Sequence, residues 1–159
     1  MDVTIRRMTT DDLAAVLRIE ERGFSSPWSR RSFVYELDSD IAICLVASRA
    51  DKVIGYVCTQ ALFGEAYILK LAVHDKFRRQ NVGTLILGNT LEVLHGLSCE
   101  KVLLEVRRSN EPALRLYERF GFKRLSVRSG YYSDPTEDAI TMVLRTNLSE
   151  NIHGCSVSS

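Results

Sequence analysis

Glu105 and Tyr117 are the residues of this chain whose setting suggests proton chemistry. The run Lys101-Val102-Leu103-Leu104-Glu105-Val106-Arg107 alternates as a strand does, with Val102, Leu104 and Val106 on one face and Glu105 beside Leu103 on the other. A carboxylate in an apolar strand is costly unless it is paired or used. It reads either as half of a salt bridge, with Arg107 or Arg115 as partner, or as a general base strengthened by an apolar surround. Tyr117 falls on the apolar face of the next helical run, as a core tyrosine or as a proton donor. Asn110 opens that run and has at least the chemistry of a helix cap.

A second stretch has the chemistry of an anion site. The apolar strand Leu69-Lys70-Leu71-Ala72-Val73 is followed by the turn Arg78-Arg79-Gln80-Asn81-Val82-Gly83-Thr84 and a helix with Val82, Leu85, Ile86 and Val93 on its apolar face. A helix start offers unpaired N–H groups and the positive dipole end, which favour phosphate. Two arginines add charge, and Gly83 adds room for a ligand to approach the backbone. A solvated basic loop ahead of an ordinary core helix is the plainer reading of the same residues.

Bulk properties keep any such site local. The 159 residues form one domain on length, with 45% hydrophobic and 26% charged residues. A net charge of +1 gives no general pull toward nucleic acid or a membrane. No apolar run approaches the ~20 residues of a membrane helix, and the N-terminus lacks an apolar signal region, so a cytoplasmic protein is expected. Cys44, Cys58, Cys99 and Cys155 lack metal-type spacing, no metal is expected, and three of them sit in apolar segments as buried free thiols.

The elements that must position these residues follow from periodicity and punctuation. Val3–Arg7 reads as a strand. Thr9 to Asp12 then cap a helix with Leu13, Val16 and Leu17 that stops at Gly23. After the loop Ser25-Ser26-Pro27-Trp28-Ser29, a short helix carries Phe33 and Leu37. Ile41–Ser48 and Val53–Leu62 form a hairpin about Ala50-Asp51-Lys52, and Ala66–Val73 continues the sheet. The helix after the basic turn runs from about Gly83 to Leu97, and Lys101–Arg107 is the next strand. Asn110-Glu111-Pro112 opens a helix with Ala113, Leu116, Tyr117 and Phe120 inward, closed by Gly121. Phe122–Arg128 and Ala139–Arg145 are the last strands, with Asp134-Pro135 in the turn between them. This mixed order predicts an α+β (α/β layered) domain over residues 1–145, a mostly antiparallel sheet flanked by helices, with a polar, flexible tail at 146–159.

The basic turn resembles the acetyl-CoA pyrophosphate loop of the GNAT N-acetyltransferase superfamily, of the form Arg/Gln-x-x-Gly-x-Gly/Ala. Arg78, Asn81 and Gly83 take its fixed places. Asn81 departs from the usual Gly but is the residue next best suited to left-handed backbone. The element order is also that of the GNAT fold, so the resemblance spans residues 3 to about 145. Within the superfamily, Leu104-Glu105-Val106-Arg107-x-Ser109-Asn110-x-x-Ala113-x-x-Leu116-Tyr117-x-x-x-Gly121-Phe122 resembles the RimI-type protein N-terminal acetyltransferases. Glu20-x-x-x-Phe24-x-x-Pro27-Trp28-Ser29 resembles that branch's first loop. Arg128-x-x-Tyr131-Tyr132 with Glu137-Asp138-Ala139-Ile140-x-Met142 resembles its last hairpin.

The resemblance implies direct transfer in a ternary complex, with acetyl-CoA as co-substrate, Glu105 as base and Tyr117 as acid. It implies that the backbone of Leu71, Ala72 and Val73 pairs with the pantetheine arm. Arg79, Gln80, Asn81, Val82, Gly83 and Thr84 would cradle the pyrophosphate, with charge from Arg78 and a contact from Asn110. Phe24, Trp28, Tyr131 and Tyr132 would line the acceptor groove, and strand alternation predicts that one of the two tyrosines faces the core. The implied partner is a protein N-terminus, the alanine of small-subunit ribosomal protein eighteen. Two alternatives stand beside it, acetylation of a small amine and a non-catalytic acetyl-CoA-binding module. An α-amine has a pKa of about 7.8 and a lysine about 10.4, so deprotonating lysine costs roughly 3.5 kcal/mol more and a modest base suffices for an α-amine.

Overall fold

The computed structural model describes residues 2–146. Cys155 and the tail residues 147–159 lie outside the described residues. Seven strands and four helices follow in the order β1 (Thr4–Arg7), α1 (Leu13–Gly23), α2 (Arg30–Leu37), β2 (Ala42–Arg49), β3 (Lys52–Leu62), β4 (Glu65–Val73), α3 (Val82–Gly96), β5 (Lys101–Arg107), α4 (Glu111–Arg119), β6 (Lys123–Tyr132) and β7 (Glu137–Arg145). They build one sheet in the order β1-β2-β3-β4-β5-β7-β6. Every neighbouring pair is antiparallel except β4 and β5. That is the mixed, mostly antiparallel α+β sheet the element order predicts.

Alternating side chains give the sheet two apolar faces, and each is covered by two helices. Leu13, Val16 and Ile19 of α1 and Phe33 of α2 pack with Cys44, Val46, Tyr56 and Cys58 on one face. Val82, Ile86, Leu87 and Leu94 of α3 join Leu114 and Tyr117 of α4 against Leu45, Val57, Leu104 and Met142 on the other. Helix α3 lies close to the strands because position 55 is glycine. A Cβ there would sit 2.8 Å from Ile86 Cδ1 and 3.0 Å from the Ala72 carbonyl oxygen.

Several local expectations change. The buried residues of α3 are Val82, Ile86, Leu87, Thr90 and Leu94, and Leu85, expected inward, is 40% exposed. A core strip stepping by four places position 85 at its edge. In α4 the most buried residues are Leu114 and Tyr117, while Ala113, Leu116 and Phe120 are partly buried against the same core. Strand β6 reaches Tyr132, beyond the expected Arg128. Thr146, assigned to the tail, is tied to the domain: its N–H donates to the Glu100 carbonyl (2.8 Å) and its hydroxyl to that of Cys99 (2.9 Å). Cys44, Cys58 and Cys99 are free and buried, as their apolar segments predict. No helix of the described residues is long and apolar enough to cross a membrane.

The turn before α1 gives the fold a pH dependence. The Arg6 guanidinium donates to both Asp12 oxygens (2.9 and 2.8 Å), and the Thr9 N–H donates to one of them (2.8 Å). These bonds, Arg6 first, hold the Asp12 carboxyl below its usual range against the opposing effect of burial. A pKa lower in the folded than in the unfolded chain stabilises the fold above the unfolded value, about 3.9, and the gain is lost as pH falls through the lowered folded value. Urea unfolding should therefore show Asp12→Asn less stable than the parent at pH 7, with the gap closing as the pH is taken below about 4.

Candidate active site

The site begins where two strands part. Strands β4 and β5 pair only from Glu65 opposite Lys101 to Ile68 opposite Leu104. On the other edge of β4, Ile68 faces Thr59 and Lys70 faces Cys58, so Leu69 has no opposite residue and forms a bulge. A bulge bends and twists its strand. Beyond it, β4 stays on β3, with Leu71 opposite Val57 and Val73 opposite Gly55. Strand β5 stays on β7, with Glu105 opposite Thr141 and Arg107 opposite Ala139. The split opens a cleft of about 460 Å³ lined by both strands, the loop after α1, the start of α4 and the end of β6. Its β4 wall offers backbone from Leu69 to Val73 that has no strand partner on the β5 side.

The basic turn sits at the far end of that wall. Arg79 (φ +62°) and Asn81 (φ +64°) are both left-handed, and Asn81 precedes the first turn of α3 with no side-chain bond to its N–H groups. Left-handed residues in such a turn aim successive N–H groups at one point, which is an anion cradle. Asn81 thus adopts the backbone that makes it a substitute for glycine. Arg79 and Gln80 are exposed, Gly83 and Thr84 are half-buried, and the side chain of Val82 belongs to the core. Val82 therefore has only its backbone to offer. A Cβ at Gly83 would make only ordinary contacts, 3.4 Å from Leu116 Cδ2 and 3.9 Å from Val73 Cγ2, so protein packing alone does not demand glycine there. Arg78 is exposed but not idle: its Nε donates to the Val73 carbonyl (3.1 Å) and braces the end of β4.

Glu105 and Tyr117 line the same cleft. The salt bridge open to Glu105 forms with neither expected arginine. Arg107 pairs with Glu137 and Arg115 with Glu111, while Arg128 from β6 donates to both Glu105 oxygens (2.9 and 3.1 Å). The Glu105 side chain keeps 26% exposure and is half-buried in the cleft wall. Tyr117 is 7% exposed, with its ring at 5.5 Å from that of Phe122. Among the described residues its hydroxyl has no protein partner, yet no buried side-chain oxygen there lacks one, so that hydroxyl reaches the open cleft. Burial, with a smaller contribution from Tyr132, pushes the phenol's pKa above its usual value and keeps the proton on the oxygen. Asn110 caps α4 through Oδ1 (3.3 Å from the Ala113 N) and also lines the cleft, leaving its NH₂ group available to a ligand.

Tyr131 and Tyr132 both line the cleft, and neither enters the core. The β6–β7 register breaks between Arg128 and Tyr132, with Gly130 at φ +61°, and a broken register cancels strand alternation. Their rings meet edge to face at 5.1 Å. The Arg107 guanidinium lies 4.4 Å from the Tyr132 ring and donates to the Pro135 and Ser133 carbonyls, tying β5 to the hairpin. Burial, and then the Glu105 charge, pushes Tyr132 up to about 12.

The opposite wall holds the expected Phe24 and Trp28 together with a Lys70–Glu20 pair that the sequence reading did not anticipate. Phe24 and Trp28 line the cleft and at the same time anchor their loop. Lys70 Nζ lies 3.7 Å from the Phe24 ring centroid and 5.4 Å from that of Trp28, and pairs at 2.8 Å with the fully buried Glu20. Glu20 also accepts from the Trp28 N–H (2.8 Å) and the Tyr56 hydroxyl. The available signals were a lone lysine in Leu69–Val73 and an acid in the Leu13–Val16–Glu20 spacing of the α1 core face. No group of three metal-ligating side chains occurs among the described residues.

The fold and cleft have known counterparts. The profile of the acetyltransferase (GNAT) family matches residues 13–122. A ribosomal protein bS18-alanine N-acetyltransferase of Escherichia coli strain K12 is 33% identical over 143 residues, 89% of this chain and 96% of that protein. The crystal structure of the ribosomal-protein-S18-alanine N-acetyltransferase from Escherichia coli superposes with a TM-score of 0.86 at 32% identity, over 92% of this chain and 96% of that one. Ard1 from Thermoplasma volcanium superposes with a TM-score of 0.85 at 28% identity, over 92% and 99% of the two chains. This chain belongs to the GNAT family of acetyltransferases.

The buried pair on the second wall makes a testable demand. Glu20→Ala leaves the Lys70 ammonium, with 12% side-chain exposure, without its counter-charge. Breaking a buried pair from one side costs about 3–5 kcal/mol, so thermal unfolding should fall by roughly 6–20 °C, whereas Glu21→Ala on the exposed face of α1 should change little.

Proposed function

We propose that this chain is a protein N-terminal acetyltransferase that carries the acetyl group of acetyl-CoA to the α-amine of a ribosomal protein, the N-terminal alanine of bS18, in the cytoplasm where that protein is made. The observation that carries this reading is the cleft itself, in which Glu105 and Tyr117 stand on the β5–α4 side of a split sheet whose β4 wall leads to an anion cradle. The tyrosine hairpin and the Phe24–Trp28 loop flank it as side walls suited to an extended chain. The relatives named as alanine N-acetyltransferases at 33% identity point to the same acceptor.

The residues present fit the co-substrate. The N–H groups from Arg79 to Thr84 and the positive end of α3 suit a pyrophosphate, the free edge of Leu71–Val73 suits an amide-bearing arm, and the Asn110 amide lies beyond it. Acetyl-CoA supplies an acyl thioester. The acceptor amine forms the new C–N bond as the C–S bond breaks, so one proton must leave nitrogen and one must reach sulfur. Glu105 orients the amine and takes its proton, directly or through one water. Because Arg128 holds both of its oxygens, the arriving amine shares this carboxylate with a guanidinium. An α-amine with a pKa near 7.8 asks little of such a base. Tyr117 donates to the departing sulfur, and with its pKa raised the proton stays on oxygen until negative charge builds there.

Glu105→Gln keeps the shape without the basicity, and Tyr117→Phe keeps the ring without the proton. Each should lower kcat by about 10²–10⁴-fold with acetyl-CoA affinity nearly unchanged, as steady-state assays and calorimetry would report; near-parent rates in both would remove them from the mechanism.

The direct experiment supplies acetyl-CoA and an alanine-initiated peptide that also contains lysine, and locates the product by mass spectrometry. Acetylation at the α-amine is expected, and a majority of product on the lysine would refute the reading.

A further inference from the structure

The hairpin joining β3 to β4 places an aromatic residue where neither the turn nor the core benefits from it. Leu62 faces Glu65, so the loop is the two residues Phe63 and Gly64, at φ +52° and +79°. Two positive φ values mark the hairpin turn that favours Asn-Gly, and a bulky side chain at the first position is unfavourable. Phe63 is also 95% exposed. The β2–β3 hairpin makes the same two-residue turn with Ala50 and Asp51, small and polar as solvent exposure demands. The Phe63 tip is rigidly presented, because the Glu100 N–H donates to the Gly64 carbonyl (2.8 Å).

Around this tip lies a mostly apolar groove of about 520 Å³ with Ile41, Ala61, Leu62, Phe63 and Tyr67 on its walls and Gln60 and Glu65 as its polar members. Leu62 and Tyr67 are 50% and 46% exposed. Tyr67 lines the acceptor cleft as well, so groove and cleft adjoin at that side chain. We propose that this groove, with Phe63 as its anchor, holds an apolar segment of the acceptor polypeptide downstream of the amine being acetylated. The proposal rests on the reading of the cleft as the seat of a protein N-terminus. Glu105 is level with Leu69, because Ile68 is opposite Leu104, and from Leu69 to Phe63 strand β4 and its turn span up to about 20 Å at about 3.3 Å per residue. An extended acceptor reaches Phe63 with about its sixth or seventh residue, and a tetrapeptide stops short of that anchor. The site thereby prefers a long acceptor with apolar side chains at those positions.

Three acceptors sharing their first four residues test this: the tetrapeptide, a twelve-residue peptide with leucine and phenylalanine at positions six to eight, and one with serines there. The apolar long peptide should show the lowest KM. Phe63→Asn suits the turn better, so its thermal stability should be equal or higher. It should raise the KM of the apolar long peptide by about five- to tenfold, the loss typical of one aromatic anchor, with kcat and the tetrapeptide's KM unchanged. An equal KM for all three peptides, or a variant indistinguishable from the parent on the apolar one, overturns the docking surface while leaving the acetyltransferase reading in place. A variant impaired equally on the tetrapeptide overturns it too, as does one whose only change is from dimer to monomer in sedimentation. A parent that acetylates none of the peptides removes both readings.

Discussion

Everything the site does depends on one unpaired residue. Strands β4 and β5 are parallel neighbours in the middle of the sheet, and regular pairing would close that position with hydrogen bonds and side chains. The bulge at Leu69 prevents this, since pairing with β5 ends at Ile68, one residue before it. An open strand edge in the interior of a sheet leaves polar groups unsatisfied unless something pairs with them. Here the unpaired stretch faces a cleft open to solvent, so water satisfies it in the free protein and a ligand with its own amides can replace that water. The same divergence separates the two walls of the cleft and leaves room between them.

An open split needs reinforcement, and ion pairs provide it on both sides. On the β4 side, Lys70 follows the bulge directly and reaches the buried Glu20, which fastens the Trp28 backbone and Tyr56. On the β5 side, Arg107 binds Glu137 and the hairpin carbonyls, and Arg128 binds Glu105. The charged groups of the cleft walls are thus compensated by protein partners, leaving no net charge to repel an acceptor carrying its own cation. Surface pairs of this kind add little stability. Their value is geometric, since they fix where the two loops and the hairpin stand around the gap. The Lys70–Glu20 pair is buried and is the exception, costly to form and costlier to break.

Local features of the fold and site were readable because local chemistry decides them. The alternation around Glu105, the apolar placement of Tyr117, the capping chemistry of Asn110 and the tolerance of Asn81 for left-handed backbone are properties of short windows. Relationships between strands distant in sequence were not readable. The Leu69 bulge exists only as a mismatch between β4 and β3, and nothing in Leu69–Val73 alone announces it. Arg128 displaces Arg107 and Arg115 as the partner of Glu105 because β6 and β5 both flank β7. The two tyrosines share the cleft because the β6 register fails near Gly130, so a rule that holds for regular strands does not apply. Leu85 turned outward because the covered strip of α3 follows the sheet beneath it.

On the proposed reading, geometry carries most of the catalytic burden. Glu105 is ion-paired with Arg128, and Tyr117 holds its proton more firmly than a free phenol. A phenol whose pKa is raised lies still further above a thiolate of pKa about 8.5, so in the proposed mechanism the Tyr117 hydroxyl would serve as a hydrogen-bond donor to sulfur as the C–S bond breaks, with complete transfer of its proton uphill. An acceptor with a low amine pKa removes the need for a strong base in the same way. What remains is to hold amine, thioester and hydroxyl in line, which is worth about 7–11 kcal/mol when the reacting atoms are well placed. On the proposed reading a split sheet fastened on both edges supplies that alignment, and proton groups that suffice for an α-amine would not suffice for the more basic amine of a lysine.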